Sequence, residues 1–193
     1  MVNITCRGGN VNADTVSFRG KIKKSFRRIL DSAKALSFSQ CNIRVNNRIE
    51  LFLKNLRQGD TVYIHPEAEY HPSTTLQSII NAGMIPGIAV NPGTSAETVM
   101  EMLRIVKKVL VMSVNPGNAG QMYLPYVGKK ITKLLSMKED MDFELYWDGA
   151  CSAEKILEFA PKGVRGFVLG TTLLFGKGKP YGETLRAIRE LRF

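Results

Sequence analysis

Histidine is nearly missing from this sequence, and cysteine and tryptophan are sparse: two, three and one in 193 residues. Two histidines, His65 and His71, are too few for a metal site built on several imidazoles. The cysteines (Cys6, Cys41 and Cys151) form no CxxC pair. An odd, sparse set without an export signal reads as reduced thiols in a cytoplasmic protein. The N-terminus, MVNITCRGGN, lacks the apolar core of a signal peptide. No apolar run reaches the ~18–20 residues of a membrane span, and no linker, low-complexity tract or repeat interrupts the chain.

What is present describes one globular domain over residues 1–193. Apolar residues make up 44% and charged residues 23%, enough to build a core. The net charge of +10 is uneven: residues 1–60 hold 12 of the 27 Lys/Arg but only 4 of the 17 Asp/Glu. Most of that excess lies in 18–34, where Phe18, Ile22, Phe26, Ile29, Leu30 and Ala33 follow helical spacing and basic residues fill the other face. A solvated outer helix explains this pattern, and binding to an anion or nucleic acid is the alternative.

Short apolar or β-branched runs recur at 2–6, 40–45, 61–65, 86–90, 109–114, 143–147 and 166–169. Helical patterns between them return the chain to the same edge, as parallel βα units require. Thr94 with Glu97, Ser73 with Gly83, and Ser152 supply helix start and stop signals. Seven such units suggest a (β/α)8 barrel lacking its first βα unit, or an open doubly wound sheet.

In either fold, ligands bind beyond the C-terminal ends of the strands. The unusual residues gather there, in 65-HPEAEYH-71, 91-NPGT-94, 113-SVNPGNAGQMY-123, 148-DGAC-151 and 170-GTTLLFG-176. Glycine-bearing loops can aim successive backbone N–H groups at an anion. Gly149, Ala150, Gly170 and Thr171, with Ala119 and Gly120, are therefore the expected phosphate holders. Asp148 ends an apolar strand directly before glycine. It could serve as general acid/base, metal ligand, acceptor for a sugar hydroxyl or cap of the next helix. His65 also ends a strand, and Met112 reads as core filler.

These loops, in this order from about Thr61 to Phe175, resemble the ribulose-phosphate 3-epimerase family. The resemblance rests on HPEAE, GIAVNPGT, VLVMSVNPGNAGQMYLP, WDGAC and GFVLGTTLLF, and the last two look closer to the allulose-6-phosphate epimerase branch. It implies a (β/α)8 barrel and an isomerase of pentose-phosphate carbohydrate metabolism that inverts C3 of a ketose phosphate through an enediolate. It also implies an assembly of like subunits. Two Asp would exchange protons on opposite faces of C3. A divalent metal (zinc, iron, manganese or cobalt) held by two His and the two Asp would polarise the oxygens. By this match Asp148 is the second catalytic Asp. Gly120, Gly149, Ala150, Gly170 and Thr171 hold the phosphate, and Gln121, Met112 and His65 fall on the substrate side.

The first half departs from the family pattern. Laid on 3-NITCRGG-9, the family's second strand puts Asn3 where a ligand His belongs and Thr5 where the first Asp belongs. The second ligand His becomes Asn42, and the first strand has no counterpart before Met1. Asp148 would then be the only metal ligand left. The expectation is little bound metal and slow or absent epimerisation. Three readings stand open: a working epimerase with a site rebuilt around Asp148, His65 and Asp14; a non-catalytic phosphosugar-binding relative; and an anion- or nucleic-acid-binding protein using the basic helix.

Overall fold

The structure, a computed structural model, describes residues 3–6, 16–17, 40–44, 53–54, 56, 58–116, 120–175, 177–178 and 180–190. The basic segment 18–34, Asp14 and Ala119 lie outside the described residues. Among the described residues eight strands occur: β1 Asn3–Cys6, β2 Val16–Ser17, β3 Gln40–Arg44, β4 Thr61–Ile64, β5 Ile85–Val90, β6 Lys108–Met112, β7 Glu144–Asp148 and β8 Gly166–Leu169. Among the described residues the α-helices are α1 Pro72–Asn81, α2 Ala96–Val99, α3 Tyr126–Ser136, α4 Ala153–Phe159 and α5 Tyr181–Arg189. The strand segments TVYI, KVLVM and GFVL are rich in β-branched, aromatic and leucine side chains. Their near-continuous apolar character suits a sheet covered on both faces.

All neighbouring strands run parallel, in the order β1-β8-β7-β6-β5-β4-β3-β2. This is the order of a (β/α)8 barrel opened between β1 and β2. The barrel expectation holds, with eight strands among the described residues rather than about seven, and Asn3–Cys6 stands in the first strand's place rather than the second's. The additional strand is the two-residue Val16–Ser17, paired with Ile43 and Arg44 of β3. Two residues are too short to show any alternation, so the segment left no periodic signal. Asn3–Cys6 pairs with Gly166–Leu169, which places it beside β8, where a barrel's first strand belongs.

One of the three expected helix N-caps, Ser152, is observed, and the other two are displaced. Ser152 caps α4 by accepting the Lys155 N–H at 3.3 Å. At α2 the cap is Ser95, which accepts the Thr98 N–H at 3.2 Å, one residue beyond the expected Thr94. At α1 the N-cap is His71 without a side-chain hydrogen bond, so Ser73 lies inside the helix.

Strand alternation sorts side chains into two populations. Tyr63, Ala89, Leu110, Tyr146 and Val168 form one buried cluster inside the barrel. Val62, Ile64, Val90, Val111 and Trp147 face outward, into a larger core with α1, α3 and α4. Toward the strand N-termini, Tyr146 donates a 2.7 Å hydrogen bond to Glu144, and Arg165 lies 3.3 Å from the other carboxylate oxygen. The Tyr146 hydroxyl foremost holds the Glu144 pKa below its ordinary value, and Arg165 and Lys108 act in the same direction. Tyr63 is fully buried, and desolvation, reinforced by Tyr146 and Glu144, pushes its phenol pKa up.

Gly87 makes room for that phenol. A Cβ at position 87 would fall 2.6 Å from Tyr63 Cδ1 and 3.0 Å from the Lys108 carbonyl oxygen. The ring is walled in by the other interior side chains and cannot swing aside. We predict that Gly87→Ala lowers stability by about 1–3 kcal/mol, the usual cost of overpacking. Urea denaturation checks this, and a midpoint equal to the parent's would show that the barrel interior is loosely packed.

Candidate functional site

Two residues beyond the interior cluster, the same inward parity brings His65, Asn91, Met112, Asp148 and Gly170 to the C-terminal ends of β4 to β8. His65 keeps extended geometry (φ −92°, ψ 110°), so the alternation of β4 carries through it. Met112 and Asp148 are register partners, and Asp148 is also paired with Val168. His65 is 1% exposed and Asp148 4%, although both chains of atoms end in ionisable groups. Groups this buried at strand ends are held there by the fold, because their desolvation is costly.

The turn that follows Asp148 is set by four hydrogen bonds. The Trp147 indole N–H donates to Ser113 Oγ and to the Gly149 carbonyl, both at 2.9 Å. The Ser113 hydroxyl donates to the same carbonyl at 2.5 Å, and the Ser113 N–H reaches the Asp148 carbonyl at 2.8 Å. Trp147 is itself clamped by Tyr123, Phe159 and Phe167 at centroid distances of 5.6, 4.9 and 6.1 Å. With the Gly149 carbonyl drawn inward, the chain turns through positive φ at Gly149 (93°) and at Ala150 (44°), the one non-glycine residue with positive φ among the described residues. A side chain at 149 would meet Val114 Cγ2 at 2.6 Å, so glycine is required there twice over. Ser152 caps α4, which rules out the reading of Asp148 as that helix's cap.

The loops beside this turn carry the other expected residues. Gly120 has φ 81° and is exposed, while Gln121 is half-buried and donates to the Asn115 carbonyl at 2.6 Å. After β8, the Gly170 carbonyl accepts the N–H groups of Leu173, Leu174 and Phe175, which curls the loop into a compact turn. Thr171 is exposed at the start of that turn, and a Cβ at Gly170 would meet nothing within 4 Å. Among the described residues, the N–H groups of Gly149, Ala150, Thr171 and Thr172 donate to no main-chain acceptor. The structure therefore brings Asp148, Gly149, Ala150, Gly170, Thr171 and Met112 to one end of the barrel, with His65 two strands beyond β6.

Polar residues that the sequence reading did not single out complete this end. The Asn91 Oδ1 is buried and has no hydrogen-bond partner. Lys130 of α3 donates to the carbonyls of Asn91 and Pro92, both at 2.7 Å. Desolvation lowers the Lys130 pKa, and the Glu67 carboxylate opposes that shift. Glu67 stands 3.4 Å from His65 Nδ1. Parity past Val90 was the available signal for Asn91. Nothing in the sequence pointed to Lys130, which reaches the loop from a distant helix.

The described residues at this end of the barrel do not by themselves fit a divalent metal. Among the described residues, no group of three or more His, Cys, Asp or Glu could hold one. The register partners of Asp148 are a thioether and a hydrocarbon, and hard divalent ions favour oxygen and nitrogen donors. Also among the described residues, no helix is long and apolar enough to cross a membrane.

Two solved structures share the fold at low sequence identity. One, described as native KDPGal, superposes with a TM-score of 0.51 at 13% identity, covering 89% of this chain and 79% of that one. The other, an octameric ribulose-1,5-bisphosphate carboxylase/oxygenase from Pyrococcus horikoshii, gives 0.56 at 12%, covering 97% and 51%. Curated relatives are nearer in sequence. A ribulose-phosphate 3-epimerase of Rhodobacter capsulatus is 37% identical over 68% of this chain and 59% of its own length. One of Methanocaldococcus jannaschii is 30% identical over 79% and 64%. A cytoplasmic isoform from Oryza sativa is 31% identical over 80% and 68%. The chain thus spans about three-fifths to two-thirds of these relatives. A family model, the ribulose-phosphate 3 epimerase family, matches residues 14–174, a stretch that contains Asn42 but begins after Asn3 and Thr5. With its parallel barrel, its loop order and this match over most of its length, the chain belongs to the ribulose-phosphate 3-epimerase family.

Proposed function

We propose that residues 1–193 form one barrel domain that binds a phosphorylated ketose at its C-terminal mouth and moves the proton at C3 through Asp148. The observation that carries this reading is the turn at 148–150. The same backbone that buries Asp148 at the strand end leaves two consecutive N–H groups, those of Gly149 and Ala150, without a main-chain acceptor among the described residues. A phosphate on Gly149, Ala150, Gly170 and Thr171, with Gly120 and Gln121 at its edge, would leave the sugar chain reaching toward Asp148 and Met112. The C3 hydrogen lies next to the C2 ketone. Its removal as a proton by a carboxylate gives an enediolate, and return of a proton to the other face inverts the carbon.

Ribulose 5-phosphate and allulose 6-phosphate both have this chemistry, and the WDGAC and GTTLLF segments favour the six-carbon sugar. The protein would act in the cytoplasm as an assembly of like subunits. A second reading, a phosphosugar-binding relative without turnover, is favoured by the poor fit of the described residues to a metal.

Position 170 gives a clean test of the anion site, because a side chain there meets open space and should not disturb the fold. Gly170→Asp sets a carboxylate against the phosphate. Binding of either sugar phosphate, followed by calorimetry, should weaken at least about 100-fold, as expected for like charges a few ångströms apart at a protein surface. Unchanged affinity would place the phosphate elsewhere.

Asp148 is tested by exchange. In heavy water the parent should load deuterium at C3, and Asp148→Asn should slow exchange from the epimer whose C3 hydrogen faces it by about 10²–10⁴-fold while phosphate affinity stays put. A parent that binds the sugar phosphate but exchanges nothing would support the second reading.

A further inference from the structure

His65 has a buried environment that its neighbours do not satisfy. Its side chain is fully buried, yet neither ring nitrogen has a hydrogen-bond partner. Nδ1 stands 3.4 Å from a Glu67 carboxylate oxygen, an ion-pair separation without hydrogen-bond geometry. The backbone after His65 makes a tight turn, in which the Ala68 N–H donates to the His65 carbonyl at 2.9 Å. On the next strand, the buried Asn91 Oδ1 is also without a partner. Leaving one buried polar atom unsatisfied is costly, and two from adjacent strand ends at one mouth point to a polar ligand between them.

The place of His65 in the sheet matters as much as its surroundings. β5 and β6 separate β4 from β7 in the strand order, so His65 and Asp148 stand across the mouth from each other rather than side by side. Inversion of a carbon needs one proton-transfer group on each face, and Asp148 can serve only one.

We propose that His65 is the second acid–base group of this site, opposite Asp148, with Glu67 as the residue that positions its ring. The inference rests on the ketose-phosphate reading above. In one direction the Asp148 carboxylate takes the C3 proton. The C–H electron pair becomes the C2–C3 double bond, and the carbonyl pair moves onto the C2 oxygen. The His65 imidazolium then gives its Nε2 proton to the opposite face of C3 as the C2 carbonyl re-forms. Asp148 is left protonated and His65 neutral, and exchange with water resets both. The reverse direction begins at His65. Glu67, 3.4 Å from Nδ1, is the neighbour that can hold the orientation of the ring.

A two-base site has a signature that a merely structural histidine lacks: each single variant still exchanges one epimer. The experiment follows C3 deuterium uptake by NMR, in heavy water, from ribulose 5-phosphate and separately from its C3 epimer. The full-length parent, His65→Asn, His65→Gln and Asp148→Asn are compared, with inorganic phosphate binding as the check on folding. The parent should exchange and interconvert both epimers. Both His65 variants should lose interconversion by about 10²–10⁴-fold yet keep exchange from one epimer, and Asp148→Asn should keep it only from the other. Interconversion at the parent rate in both His65 variants would overturn the inference and leave the epimerase reading intact. So would loss of exchange from both epimers with phosphate binding unchanged. A parent that binds phosphate but exchanges neither epimer would overturn the inference together with the catalytic part of that reading.

Discussion

The indole of Trp147 anchors the turn on which the whole site depends. Buried among Tyr123, Phe159 and Phe167, it spends its single N–H on Ser113 and on the Gly149 carbonyl. Around that carbonyl, Gly149 and Ala150 take positive φ, and Asp148 is left buried at the strand end on the inward parity of β7. Positive φ at Ala150 costs on the order of 1–2 kcal/mol, and the packing around Trp147 is what sustains it. Hydrophobic packing on the outside of β7 therefore fixes the chemistry on its inside. The two are adjacent residues of one strand and cannot be separated.

Alternation along parallel strands extends this logic around the barrel. One parity supplies the apolar shell under the helices. The other supplies an interior that changes character along the axis, from Lys108 and Glu144 at one end, through Tyr63 and Tyr146, to His65, Asn91 and Asp148 at the other. This much was legible in the sequence, because period-two patterns and glycine-bearing loops are local signals. The strand at 16–17 was not, since two residues carry no period. Nor was the shift of the α2 cap from Thr94 to Ser95, as either hydroxyl satisfies the local rule and only the backbone geometry chooses. The contacts of Lys130 with the loop after β5, and of Glu67 with His65, arise from how α3 and the β4 loop fold back. Tertiary proximity of that kind leaves no trace in spacing.

The site departs from the family's pattern in its electrostatics. Where the resemblance implies a metal among imidazoles and carboxylates, the described mouth offers one buried carboxylate, one buried imidazole with a carboxylate behind it, and an amide. On the proposed reading, backbone N–H groups rather than cations would meet the anion. Such donors are fixed in place before any ligand arrives, which is the condition under which they act most strongly. The barrel would then keep the phosphate loops while handling C3 with a different set of proton-transfer groups.

The central claim is that the loops after β7 and β8 grip the phosphate through their main chain. Amide chemical shifts read this directly. Titrating ribulose 5-phosphate into isotopically labelled protein should move the N–H resonances of Gly149, Ala150, Gly170 and Thr171 downfield together, with one saturating affinity. Perturbations confined to the basic segment 18–34, with those four amides unmoved, would contradict it.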